Sequence, residues 1–170
     1  MTGTKPPGAI RAVFFALSSK VIVLVYGSLY NTNMLNVVLD TNVLVAALKS
    51  SKGSSFRLLS LVEDPRIRLH VSTPLVVEYE AILKREIVHL APKDIEAIVD
   101  FLCLVAGKHE VFYLWRPLLR DIKDDHVLEL AFKAEAMIVT WNVRDFTPAG
   151  SLGIEVITPR DLLNQLEDRT

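Results

Sequence analysis

Short apolar runs alternate along this chain with longer stretches in which apolar residues recur at helical spacing. Asn36–Leu39 is a short run with adjacent valines that stops at Asp40, the signature of a strand covered on both faces. Ile67–Ser72, Val111–Leu114, Met137–Thr140 and Glu155–Ile157 read as four further strands. Between them, Val43–Leu48, Ser54–Val62, Thr73 to about Leu90, Lys93–Ala106, Asp124–Ala134 and Pro159–Leu166 read as helices. The punctuation agrees. Ser54 or Ser55 suits an N-cap, Asp64-Pro65 ends a helix, Thr73-Pro74 opens one, Ala91-Pro92 breaks it and Gly107 stops the next. Strands alternating with helices predict an α/β domain. Its sheet is mostly parallel, has about five strands and carries helices on both faces.

In such sheets ligands collect at the carboxyl ends of the strands. The polar residues there are the informative ones. Asp40 follows the first strand, Thr140 ends the fourth, and Asn142 comes two residues later. Asp121, Asp124 and Asp125 precede the helix that feeds the fourth strand, and Glu78 lies early in the helix after the second. Asp40-Thr41-Asn42 also suits a plain helix cap. Asp124 shares a helical face with Val127, Leu128 and Ala131, which predicts an inward carboxylate, whereas Asp125 falls on a more mixed face. Glu80 has Lys84 four residues on as a solvated partner. Glu78 has no such partner, which favours Glu78 for chemistry. Three carboxylates on one sheet edge repel one another unless a cation joins them. Oxygen donors without clustered Cys or His select Mg²⁺ or Mn²⁺. The expected metal set is Asp40, Glu78 and Asp124.

Composition narrows the field. In 170 residues, 51% are apolar, enough for a sizeable core in one domain. A single cysteine, Cys103, excludes an internal disulfide and fits a reducing cytoplasm. Residues 34–170 hold 16 basic and 20 acidic side chains, a net of −4, which excludes a basic nucleic-acid coat. Residues 1–33 differ: they contain no acid and two apolar runs, Ala12–Leu17 and Val21–Tyr26, divided by Ser18-Ser19-Lys20. Neither run spans a membrane, and no small-residue cleavage site marks a signal peptide. The preferred reading makes 1–33 an extension upstream of a start at Met34 and 34–170 the domain. An accessory segment is the next reading, and export the last.

The string Val37-Val38-Leu39-Asp40-Thr41-Asn42-Val43-Leu44-Val45 resembles the opening of PIN-domain ribonucleases, including the toxins of toxin–antitoxin pairs. Three more segments resemble that family in order: Val71-Ser72 to Glu78-Tyr79, Asp121 to Ala131, and Ile138-Val139-Thr140-Trp141-Asn142-Val143-Arg144-Asp145-Phe146. The resemblance spans roughly residues 35–160. It implies cleavage of RNA by a metal-activated water, a cognate antitoxin and dimerisation. It places Asp40, Glu78 and Asp124 as metal-binding and catalytic acids, Thr140 as the nearby hydroxyl, and Asn42 as the residue orienting the first acid. Where many members carry a fourth acid, this chain has Asn142, a carbonyl ligand without charge. Asp145 is a substitute if its loop bends back, and Asp121 and Asp125 are outer contacts.

RNA binding calls for cations near the acids. Lys49, Lys52 and Arg57 follow the first acid, Arg116, Arg120 and Lys123 precede the third, and Arg144 is close to Asn142. Trp141 is the better of two tryptophans for stacking on a base. His126 reads as a helix-surface residue. Two other classes compete. A haloacid-dehalogenase-type phosphatase needs an acid two residues after Asp40, where Asn42 cannot protonate a leaving group. A non-cleaving PIN-like module that binds RNA or protein is favoured by the incomplete acidic set at Asn142.

Overall fold

The structure is a computed structural model that describes residues 34–111, 119 and 124–168. Five strands form its sheet: β1 (Leu35–Leu39), β2 (Ile67–Ser72), β3 (Gly107–His109), β4 (Met137–Val139) and β5 (Val156–Ile157). Among the described residues, six helices flank it: α1 (Thr41–Lys49), α2 (Ser54–Leu59), α3 (Thr73–Glu86), α4 (Pro92–Val105), α5 (Asp125–Lys133) and α6 (Pro159–Asp168). A 3-10 segment, Val143–Leu152, joins β4 to β5.

The spatial order is β3-β2-β1-β4-β5, and every pairing is parallel. The chain builds outward from β1 to β3, then returns to the other side of β1 to lay down β4. That reversal makes the gap between the carboxyl ends of β1 and β4 the switch point of the sheet, where neighbouring connections diverge and leave a crevice. The Asp40 amide donates to the Val139 carbonyl at 2.9 Å, stitching the two ends together, and the Thr140 amide donates to the Ile157 carbonyl of β5 at 3.0 Å.

The central strands are apolar because both faces are covered. Val37, Val38, Leu39, Ile138 and Val139 are all buried. They pack with Leu44 from α1, Leu75 and Leu83 from α3, Leu102 from α4 and Leu128 from α5. Among the described residues, no helix is long and apolar enough to cross a membrane.

Most predicted elements form within a few residues of their expected ends. Ahead of the expected strand at Val111–Leu114, Gly107–His109 forms one, pairing His70 with Gly107 and Ser72 with His109. Val111 lies outside any element, and 112–114, the rest of that expected strand, lie outside the described residues. β3 is an edge strand only partly buried, so it tolerates Lys108 and His109, and apolarity is no guide to it. Gly107 opens it because β3 passes close to His70: a Cβ there would meet His70 Nδ1 at 2.9 Å. The extension 1–33 also lies outside the described residues.

Candidate active site at the carboxyl ends of β1 and β4

Asp40 leaves β1 and caps α1, its Oδ1 accepting from the Asn42 amide at 3.3 Å. The capping and the site placement are therefore one feature. Oδ2 accepts from the Asn42 side-chain amide at 2.7 Å and from the Thr140 hydroxyl at 2.6 Å. The Asn42 Nδ2 also donates to Thr140 Oγ1 at 3.0 Å, closing a triangle of three side chains. The Asn142 amide donates to that same Thr140 oxygen at 2.9 Å.

Asp40 is buried, and that burial pushes its carboxyl above the usual range. The Thr140 and Asn42 hydrogen bonds pull it back, and the charge of Glu78 raises it again. Its hydrogen-bond partners are neutral, so they orient the carboxylate without cancelling its charge.

Glu78 comes from α3. The Thr41 hydroxyl donates to its Oε1. Its neighbour Tyr79 is buried and donates its hydroxyl to the Leu39 carbonyl, one residue before Asp40. This pins α3 to the end of β1. Burial, with the charges of Asp40 and Glu78, pushes the Tyr79 phenol well up, so it stays a donor. Glu80 forms the expected surface pair with Lys84 at 2.5 Å.

The third acidic segment departs from expectation. Asp125, expected on a mixed face, is the buried one, and its Oδ1 accepts from the Leu119 amide at 2.9 Å. Asp124, expected inward, is half-buried and flanks the start of α5. The facial argument fails because residues 125–131 of α5 are buried without a break, so the helix has no solvated face there.

His126 is a second correction. It is buried rather than on the surface, and its Nε2 stands 3.5 Å from Glu78 Oε2. That nitrogen has no hydrogen-bond partner among the described residues. The contact between α3 and α5 brings the two together. The signal available in the sequence was the position itself, two residues after Asp124.

Asn142 and Asp145 are exposed, at and just inside the start of the 3-10 segment, and the Asp145 amide donates to the Asn142 carbonyl at 2.9 Å. Arg144 is exposed beside them. Asp121, Arg120 and Lys123 lie outside the described residues, as do Trp115 and Arg116. Of the expected rim cations, Lys49 is paired with Glu86 at 3.1 Å and Arg57 with Glu167 at 3.0 Å. A separate depression lined by Met34, Asn36, Phe132, Met137 and Gly153 opens at the amino ends of β1 and β4, away from the carboxylates.

Among the described residues, no three His, Cys, Asp or Glu side chains are gathered closely enough to hold a metal alone. Mg²⁺ does not require that; it commonly takes one or two carboxylates and fills its shell with water and phosphate oxygens. Asp40 and Glu78 fit that pattern in donor type.

A family model described as a PIN domain matches residues 36–144, more than half of the 170-residue chain. The chain belongs to the PIN domain family. Solved structures at low identity are similar in fold, two of them as follows. VapBC2 from Rickettsia felis, bound to a DNA fragment from its promoter, is similar at TM-score 0.53 and 15% identity, over 73% of this chain and 98% of that one. PAE2754 from Pyrobaculum aerophilum is similar at TM-score 0.51 and 12% identity, over 84% and 97%. No curated protein matches the chain.

Proposed function

We propose that this PIN domain is a metal-dependent endoribonuclease that hydrolyses RNA phosphodiester bonds as the toxin of a toxin–antitoxin pair. The observation that carries this reading is Asp40. It is a buried carboxylate at the switch point of the sheet, oriented by two neutral donors and within electrostatic reach of Glu78. Burying such a group is costly unless a cation joins it. Asp40, Glu78 and Asp124 would hold Mg²⁺ or Mn²⁺, with the Asn142 carbonyl in place of a fourth acid. Such an ion supplies Lewis acidity, lowering the pKa of an attacking water and offsetting charge on the phosphodiester.

The residues of the chain do the positioning. Asn42 and Thr140 fix the Asp40 carboxylate, and Thr41 fixes one oxygen of Glu78. Arg120, Lys123 and Arg144 would contact phosphates around the acids. Asp121, Asp125 and Asp145 would act as outer contacts, of which Asp125 supports the backbone at Leu119. A cognate antitoxin, supported by the likeness to VapBC2, a homodimer and a cytoplasmic setting complete the reading. The domain is residues 34–170, with 1–33 as an extension.

The test is cleavage of structured RNAs by the full chain in Mn²⁺ or Mg²⁺ against a chelator, beside Asp40→Asn. Metal-dependent cutting that disappears in the variant is the expected result. A melting temperature raised by Mn²⁺ in the parent and unmoved in Asp40→Asn would report the ion independently. One observation favours a second reading: the neutral, exposed Asn142 leaves the acidic set one charge short. RNA binding with no cutting in any metal would establish that non-cleaving module instead.

A further inference from the structure

Trp141 is an unusual residue to find at the mouth of this site. It follows Thr140 directly, and it is 43% exposed although indole is a large apolar group. The ring is not loose. Its Nε1–H donates at 2.9 Å to the hydroxyl of Ser55, a buried residue in the first turn of α2. Its backbone amide donates at 3.1 Å to Asn42 Oδ1. The one polar atom of the indole is thus spent inward, and what the ring leaves to solvent is aromatic surface. Asn42 is the shared element: its amide nitrogen orients Asp40 while its oxygen holds Trp141. Asn42 thus ties the Trp141 backbone to the carboxylate, while Ser55 fixes the ring.

We propose that Trp141 is a fixed stacking platform that takes one unpaired nucleobase next to the phosphate presented to Asp40, selecting single-stranded over paired RNA at that position. This rests on the ribonuclease reading for its substrate class. Stacking suits the site for two reasons. A base offers its π-face only when it is out of a duplex, so a rigid aromatic at the mouth discriminates by pairing rather than by sequence. The domain carries a net of −4 over residues 34–170, so phosphate attraction alone is weak and aromatic contact must carry more of the affinity. Pre-fixing the ring through Ser55 also lowers the entropy lost on binding.

The experiment uses the full chain with the metal chelated, so that binding is read without cutting. A labelled single-stranded RNA of about twelve nucleotides and the same sequence as a duplex are titrated by anisotropy. The variants are Trp141→Phe and Trp141→Leu, with melting temperatures recorded for both. In parallel, Trp115→Phe leaves Trp141 as the only tryptophan, and its emission is followed during titration.

Single-stranded RNA is expected to quench Trp141, and the duplex is not. Trp141→Leu is expected to bind the single strand about tenfold more weakly, with Trp141→Phe near the parent. Equal binding by the Leu variant, equal quenching by duplex, or no RNA binding overturns the platform. Quenching by a protein partner alone also overturns it, and makes the ring a docking contact. The two proposals fail separately. Metal-dependent cutting by a chain whose Trp141 ignores RNA removes the platform and keeps the nuclease. Quenching without any cutting keeps the platform and removes the nuclease.

Discussion

The Thr140 hydroxyl donates a 2.6 Å hydrogen bond to Asp40 Oδ2, joining the carboxyl ends of two strands that lie side by side but far apart in the chain. Thr140 is wholly buried and also accepts from Asn42 and from the Asn142 amide. Thr140→Val keeps the shape and deletes all three bonds. It should cost about 1–3 kcal/mol in urea unfolding, the usual penalty for stranding buried polar groups. It should also raise the Asp40 carboxyl further, since this bond holds it down. Thr140→Ser should recover most of the loss.

His126 lies against Glu78 with its Nε2 otherwise unpartnered among the described residues. Thr41 holds the other Glu78 oxygen, so the carboxylate is confined from two sides. His126→Ala should lower the cleavage rate more than it lowers stability, with about 1 kcal/mol lost in unfolding. His126→Gln, which keeps a donor on a comparable reach, should retain more activity. Equal rates for Ala and Gln would show that a donor facing Glu78 contributes nothing to the rate.

Gly107 sits where β3 crosses His70. A Cβ at this position would approach His70 Nδ1 to 2.9 Å and Cε1 to 3.3 Å. The His70 ring cannot simply move, because one nitrogen bonds His109 at 2.8 Å and the other Asn36 at 3.1 Å. Gly107→Ala should therefore destabilise by about 1–3 kcal/mol, as overpacking does, measured by chemical denaturation.

The same histidine predicts a pH dependence. The Asn36 carbonyl accepts from Nε2–H of His70, which leaves Nδ1 to accept from His109. Burial, then the charges of His109 and Arg68, hold the His70 pKa down to about 4, against an ordinary 6.5. The unfolded chain binds this proton first, so stability falls as pH drops from about 6.5 towards 4, by at most about 1.4 kcal/mol per pH unit. Asp40 acts with the opposite sign. Its carboxyl is raised above 3.8, so its contribution is greatest in acid and declines as pH rises. Urea midpoints from pH 7 to pH 4 should be flatter in His70→Leu than in the parent. The difference between the two curves isolates the histidine from Asp40.

Local pattern determined a great deal here. Apolar runs without alternation mark strands buried on both faces, and that requirement acts residue by residue on β1 and β4. Order then follows, because strand–helix alternation permits few topologies. Asp40 and Thr140 were legible for the same reason: a polar residue closing a buried strand stands at the edge where parallel sheets bind ligands. Asn42 was legible as a cap within one helical turn of Asp40.

Tertiary structure alone decided what depends on which elements touch. Unbroken burial of residues 125–131 put Asp125 rather than Asp124 in the interior, since helical periodicity reports one packed face and this stretch has more than one. The approach of α3 to α5 set His126 on Glu78. The seating of α2 beside the β4 loop tied Trp141 to Ser55. Pairing with β2 made Gly107–His109 a strand, although no apolar run marks it. Each of these is a long-range contact, fixed by how the crossovers pack rather than by any local run of side chains.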